Sequence, residues 1–234
     1  MTDDDRYGAE IAWAPAADPV RTALTGRYVR VEPLDTALHG ADLYQAAQGP
    51  DADPALWDYL ANGPYADEAS FLNDLARHQA SPDPLFFAIV EPDSGQAGGV
   101  ASLMRIDAAN GVGELGHIWF GPTLQRSRAA TEAIFLLAND LMTTLGYRRL
   151  EWKCNDRNRR SRRAAERYGF SYEGTFRQHL VVKGRNRDTA WYAIVDGEWP
   201  DIRNGFEAWL DPTNFDEAGQ QKRSLEACRG PARS

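Results

Sequence analysis

The sequence predicts an α+β fold of the mixed α/β kind: a central, mostly antiparallel sheet with helices on both faces. Three observations lead there. Residues 85–120 hold three strand patterns in succession, separated by turn chemistry. Residues 114–170 read strand, short loop, helix, strand, helix, which supplies one locally parallel strand pair. Residues 170–195 read as a closing antiparallel pair.

The elements follow in order. Residues 1–24 are rich in Asp, Ala and Pro, carry no period and read as an arm. Residues 26–33 alternate as a strand does, and a helix is expected over 36–48. Residues 53–65 set Trp57, Tyr59 and Tyr65 among Pro and Gly, which suits a loop or short helical turn. Asp67 opens a second helix, with Glu68 in its first turn and Phe71, Leu72 and Leu75 as its apolar stripe. Residues 85–91 are almost continuously apolar. Pro92-Asp93-Ser94-Gly95 then turns the chain into a strand over 98–106. Asn110-Gly111 turns it again into a strand over 112–120.

Ala130, Ile134, Leu137, Leu141 and Leu145 keep helical spacing over 126–145, with Gly146 as the stop. A strand over 149–154 leads to a helix over 161–168 that Gly169 ends. Strands over 170–182 and 189–195 follow, then a helix from Glu198 that covers Phe206 and Trp209. The polar C-terminal stretch reads as a mobile tail. The division is an arm (1–24), a main domain (25–197) and a C-terminal helical extension and tail (198–234).

Composition narrows the function. With 234 residues, 43% of them hydrophobic, the chain can bury a sizeable core. No apolar run approaches the ~20 residues of a bilayer span. The start, Met1-Thr2-Asp3-Asp4-Asp5, is too acidic for a secretory signal or transit peptide. The expectation is a cytoplasmic protein with no membrane partner. Cys154 and Cys228 read as free thiols, and no metal-ligand pattern is present.

A net charge of -8 argues against broad nucleic-acid binding. Yet Arg157, Arg159, Arg160, Arg162 and Arg163 fall within seven residues, and Arg126 and Arg128 join them if the two strand–loop–helix units are neighbours. Such a run can be a solvated helix face. At a helix start, however, cations oppose the helix dipole, and an anionic ligand would offset that repulsion.

The central segment has the parts for such a ligand. A helix N-terminus exposes unpaired amides and a partial positive charge. Small residues let a pyrophosphate approach them. Gln125-Arg126-Ser127-Arg128-Ala129-Ala130 offers Ser127, Ala129 and Ala130 as the small residues and two arginines for charge-assisted contacts.

These residues carry a resemblance. Residues 114–170 resemble the coenzyme-A site of the GNAT superfamily of N-acetyltransferases, whose loop reads Q/R-x-x-G-x-G/A. Gln125 and Ala130 match the ends of that pattern, and Arg128 replaces its central glycine. Asn158-x-x-Ser161, followed by Tyr168-Gly169-Phe170, is similar to the family's second block. Glu114-Leu115-Gly116-His117-Ile118-Trp119 looks most like the branch that includes the ribosomal-protein N-terminal-alanine acetyltransferases. The resemblance covers residues 25–197, which would be a GNAT-like acyltransferase domain.

The resemblance implies acetyl-CoA as cofactor and a parallel pair, 112–120 with 149–154, that splays to admit it. His117, Ile118, Trp119 and Phe120 would offer backbone groups to the pantetheine arm. Gln125, Arg126, Ser127, Arg128, Ala129 and Ala130 would cradle the pyrophosphate. Asn158 and Ser161 would sit near the thioester. The reaction would be direct attack of a primary amine on that thioester. It needs a neutral amine, oxyanion donors and a proton for the thiolate. A backbone N–H near Trp119 suits the oxyanion, Glu114 could take the amine proton, and Ser161 could protonate the thiolate. Many relatives use a tyrosine for that last task, at the position of Ala165 here.

Trp57, Tyr59, His117 and His179 are the acceptor-site candidates, with Tyr65 beside the first two. The aromatic group could be a lid or a buried plug. Trp119, Trp152, Trp191 and Tyr168 read as packing or pocket wall, and His39 and His78 as surface. The acceptor would be a protein N-terminus or a small aminoacyl or antibiotic-like metabolite. A second reading keeps the fold and takes aminoacyl-tRNA as donor, which would make binding steeply salt-dependent. A third retains CoA recognition without turnover. Phe206, Trp209 and Phe215 could pack on a second copy in a homodimer or cover the domain's own sheet.

Overall fold

A computed structural model describes residues 10–230 of the chain. The acidic first residues, like residues 231–234, lie outside the described residues. From residue 10 the arm is docked. The Trp13 indole donates to the Ala109 carbonyl (2.7 Å), and the Arg21 guanidinium to the carbonyls of Gln79 and Ser81.

Eight strands form one sheet in the order β1-β2-β3-β4-β5-β6-β8-β7. They are β1 (Leu24–Thr25), β2 (Arg30–Pro33), β3 (Leu85–Val90), β4 (Ala97–Asp107), β5 (Val112–Phe120), β6 (Arg149–Asn155), β7 (Ser171–Val182) and β8 (Arg185–Val195). Only β5 and β6 run parallel. A parallel pair needs a crossover connection, and α3 (Arg128–Asn139) supplies it. The other helices are α1 (Thr36–Gln48), α2 (Glu68–Ala80), α4 (Arg159–Tyr168), α5 (Trp199–Leu210) and α6 (Leu225–Arg229).

The sheet separates two apolar clusters. Leu137 and Leu141 pack with Phe206 and Trp209 of α5 on one face. Leu43 of α1 and Phe71 of α2 pack with Phe86 and Trp57 on the other. This is the mixed α/β architecture that the alternation of patterns predicts, with helices on both faces.

Several boundaries differ from expectation for local reasons. The strand expected over 26–33 is a short hairpin. Glu132, buried on α3, accepts the amides of Arg27 (3.0 Å) and Tyr28 (2.6 Å) and holds the chain in a turn there. Helix α3 starts at Arg128 because Ser127 caps it, and past Asn139 it widens into a π-helical turn, Asp140–Thr144. Helix α4 starts at Arg159, capped by Asn158. Strand β8 begins at Arg185, four residues early. Lys183 (φ 49°) and Gly184 (φ 72°) make the two-residue turn with both φ positive that a tight hairpin favours.

Two further expectations are corrected, and one open choice is decided. The C-terminal stretch is not a loose tail up to residue 230: α6 docks, with Leu225 buried and the Arg229 guanidinium bonded to the carbonyls of Arg167 and Glu166. Phe206, Trp209 and Phe215 are buried in the chain's own core, so they offer no partner surface. His39 is buried, not on the surface. Its Nδ1 accepts the Asp35 amide and its Nε2 faces Glu32 at 3.2 Å.

Candidate active site

The site begins where β5 and β6 part. Their pairing runs from Val112↔Arg149 to Leu115↔Trp152 and stops, although both strands continue. The cause is a bulge. Ser102↔Gly116 and Val100↔Trp119 pair on β4, so His117 and Ile118 together face one β4 residue. His117 takes up the irregularity at φ 49°, uncommon for a non-glycine residue. A Cβ at Gly116 would stand 2.2 Å from the Met104 sulfur, so a larger residue there would have to displace that side chain. Beyond the bulge, the edge of β5 that faces β6 has no strand partner.

Two helix starts face the opening. At the first, Ser127 Oγ accepts the Ala130 amide (3.0 Å) and donates to the Leu124 carbonyl (2.7 Å). Gln125 Nε2 donates to the Phe120 carbonyl, tying the loop to β5. The amides of Arg128 and Ala129 open the helix and have no intrahelical acceptor. The loop's positive φ falls on Arg126 (60°). Arg128 is the helix's first residue, so the missing family glycine demands no positive φ at that position. Its guanidinium does not point at the loop. It lies over the rings of Tyr28 (4.7 Å) and Phe215 (4.6 Å), so at the loop Arg128 presents its backbone and not its charge.

At the second helix start, Asn158 Oδ1 accepts the Ser161 amide (3.0 Å). Ser161 Oγ accepts the Trp152 indole N–H (3.0 Å) and lies against Cys154, whose thiol burial pushes up. Arg160 pairs with Asp53, and Arg162 with Asp156.

On the α1–α2 face, next to the bulge, is a small cavity of about 20 Å³. Trp57, Trp119, Phe86 and His117 line it, with Asn62, Tyr65, Asp74 and His78 as its polar wall. Asn62 Nδ2 donates to Asp74 Oδ2 (2.7 Å), the Tyr65 hydroxyl donates to the same carboxylate, and Arg77 pairs with it from outside. Burial alone would raise the Asp74 carboxyl; these hydrogen bonds and the neighbouring charges hold it low. His78 is in this wall and not on the surface, stacked on Phe86 at 4.1 Å. Burial pushes its imidazole down, and pushes that of His117 to about 4, helped by His78 and Arg105.

Beside the cavity lies a chain of buried charges. Lys153 Nζ bridges Glu114 (2.8 Å) and Glu151 (2.6 Å) and sits over the Trp191 ring. Arg105 also holds Glu114, and Arg149 joins Glu151 to Glu173. Glu114 is therefore a buried carboxylate between two cations, not an open base.

The expected site residues thus divide. His117, Trp57 and Trp119 meet in the cavity. Tyr59 is half-exposed and donates to the Arg157 carbonyl (3.2 Å), pinning residues 53–65 to the second helix start. Of the two options for these aromatics, Trp57 is the plug and Tyr59 the clasp. His179 is apart from the cavity, bonded to Thr189 Oγ1 (3.0 Å) and tilted against Trp191. The sequence reading missed Asp74 with His78, Lys153 and Arg105. The only sequence signal for the first pair was their i, i+4 spacing on one helix.

Comparison with known proteins agrees with this architecture. A family model described as an acetyltransferase (GNAT) domain matches residues 29–171. The crystal structure of a GCN5-related N-acetyltransferase from Brucella melitensis is 50% identical, with TM-score 0.91, covering 93% of this chain and 98% of that one. A structure from Chromobacterium violaceum ATCC 12472, described as of the GNAT family, is 42% identical with TM-score 0.75, covering 82% and 95%. YdaF of Bacillus subtilis (strain 168), named as a candidate ribosomal N-acetyltransferase, is 30% identical over 101 residues, 43% of this chain and 55% of that protein. The chain thus spans about half the length of that curated relative. A mixed sheet opened at its parallel pair agrees with these likenesses. The chain belongs to the GNAT acetyltransferase family.

Proposed function

We propose that the protein moves an acetyl group from acetyl-CoA to a primary amine by direct attack on the thioester. The observation that carries this reading is the unpaired β5 edge opening beside the cavity at His117. Acetyl-CoA occupies the splay. Its pantetheine runs along residues 117–120 as an added strand would. Its pyrophosphate meets the amides of Arg128 and Ala129 and the Arg126 side chain.

The amine enters from the cavity. Burial pushes the His117 and His78 imidazoles down and penalises a cation there, a penalty that the Asp74 carboxylate in the same wall offsets only in part. An ammonium meets the same desolvation, so it sheds its proton at the mouth and attacks as the neutral amine. This needs no strong base, and Glu114 with its two cations fixes the charge of the floor. A β5 amide near Trp119 stabilises the oxyanion. Ser161 Oγ, which accepts the Trp152 N–H, hands its proton to the departing thiolate and takes the attacking nitrogen's proton in return. The acceptor is a protein N-terminus or a small amine; the name of the Bacillus relative favours the former. A cytoplasmic setting fits the two free cysteines.

The test is acetyl-CoA-dependent thiol release across a panel of N-terminal peptides and small amines. Amine-dependent release that falls in Ser161→Ala supports the reading. Binding of acetyl-CoA without release to any amine would reduce the protein to a CoA-binding module.

A further inference from the structure

The cations that flank Glu114 and Glu151 all have carboxylate partners, and a neighbouring arginine on β8 has none. Lys153, Arg105 and Arg149 consume Glu114, Glu151 and Glu173 between them. Arg187 has no ion pair among the described residues. It stands on β8 just beyond the last pair with β6, Asn155↔Thr189. Residues 187, 189 and 191 alternate onto one side of β8, and Trp191 pairs with Lys153 of β6 and lies under its ammonium, so this side shares the sheet face on which Lys153 holds Glu114.

The Arg187 side chain is held in place. Its Nε donates to Thr189 Oγ1 (3.2 Å), and that same oxygen meets His179 Nδ1 (3.0 Å). The two terminal amino groups have no protein partner among the described residues, and neither is sealed away as an unsatisfied buried donor. Burial pushes the guanidinium below its ordinary value. A desolvated, pre-oriented guanidinium without a counter-ion matches a planar anion with two oxygens.

We infer that Arg187 is an acceptor subsite for a carboxylate lying close to the amine that is acetylated. The inference rests on the acetyltransfer reading and names its substrate class. The carboxylate could be the α-carboxylate of a free amino acid, or the side chain of an acidic first residue in a peptide. Both present the same group to the same fork.

The experiment uses acetyl-CoA and two matched acceptor pairs: alanine against alaninamide, and a tetrapeptide beginning with Asp against the same peptide beginning with Asn. In the wild type, the acid member of one pair has the higher kcat/KM, by about ten- to hundredfold, the range for a charge-assisted pair. The pair that discriminates names the source. Arg187→Gln brings the ratio close to one through KM, while acetyl-CoA affinity, measured by calorimetry, holds. Arg187→Lys restores part of the preference. Equal use of acid and amide overturns the inference, as does a preference that survives in Arg187→Gln. Acetyl-CoA binding with no transfer to either acid also overturns it. A protein that binds no acetyl-CoA would instead strike the acetyltransfer reading itself.

Discussion

His117 should make the fold acid-sensitive well above the carboxylate range. Burial holds its imidazole at about 4, against an ordinary 6.5. Between those values the unfolded chain binds a proton that the folded protein refuses, so stability falls as pH drops through 6.5 towards 4 and is restored as pH rises. The gap of about 2.5, at 1.36 kcal/mol per unit, makes about 3 kcal/mol in full. At pH 5 the same two values give about 2 kcal/mol. The perturbation is His117→Asn. Asparagine tolerates the positive φ at this position and does not titrate. Urea unfolding followed by tryptophan fluorescence, from pH 8 down to pH 4.5, measures the difference between variant and wild type. His78 is held low by burial too, so both proteins lose some stability, but the wild type loses more. Parallel pH profiles would mean that His117 titrates normally, and the argument that the cavity keeps amines neutral would go with it.

Three other perturbations test the architecture. Lys153→Met leaves the buried Glu114 and Glu151 carboxylates without their shared cation and should cost about 3–5 kcal/mol in urea unfolding; a loss under 1 kcal/mol would show that water already solvates the cluster. Glu132→Gln weakens the acceptor of the Arg27 and Tyr28 amides, with an expected loss of about 1–3 kcal/mol and faster hydrogen exchange at those two amides. Arg128→Gly restores the family's usual residue and removes the cation between Tyr28 and Phe215; about 1–2 kcal/mol is lost and the C-terminal segment becomes sensitive to protease, while acetyl-CoA affinity holds.

Much of the fold was legible because its signals are local. Asn110-Gly111 and Pro92-Asp93-Ser94-Gly95 announce turns, and the period of Ala130 to Leu141 announces a helix. The splay at the parallel pair came from the resemblance of residues 114–170, not from periodicity. What stayed hidden was set by contacts between distant segments. Glu114 reads from sequence as the base that takes the amine proton, and only the fold brings Lys153, from the neighbouring strand, and Arg105, from the other side, onto it. Arg128 looked like a phosphate ligand because its aromatic partners lie 100 and 87 residues away in the chain. His78 was read as surface because its stacking partner, Phe86, belongs to the next strand. The early start of α4 was within reach, since an Asn three residues ahead of a Ser is an ordinary cap.

The central claim is that an acyl-CoA enters the opening between β5 and β6 against two helix starts. Titration calorimetry of acetyl-CoA into the wild type and into the Arg126→Ala/Asn158→Ala double variant tests it most directly, with a thermal melt to show that the variant is folded. The account predicts one site of micromolar affinity, weakened at least about tenfold in the variant, a change of about 1.4 kcal/mol or more. No binding of acetyl-CoA by the wild type, or binding that a folded double variant retains unchanged, would contradict it.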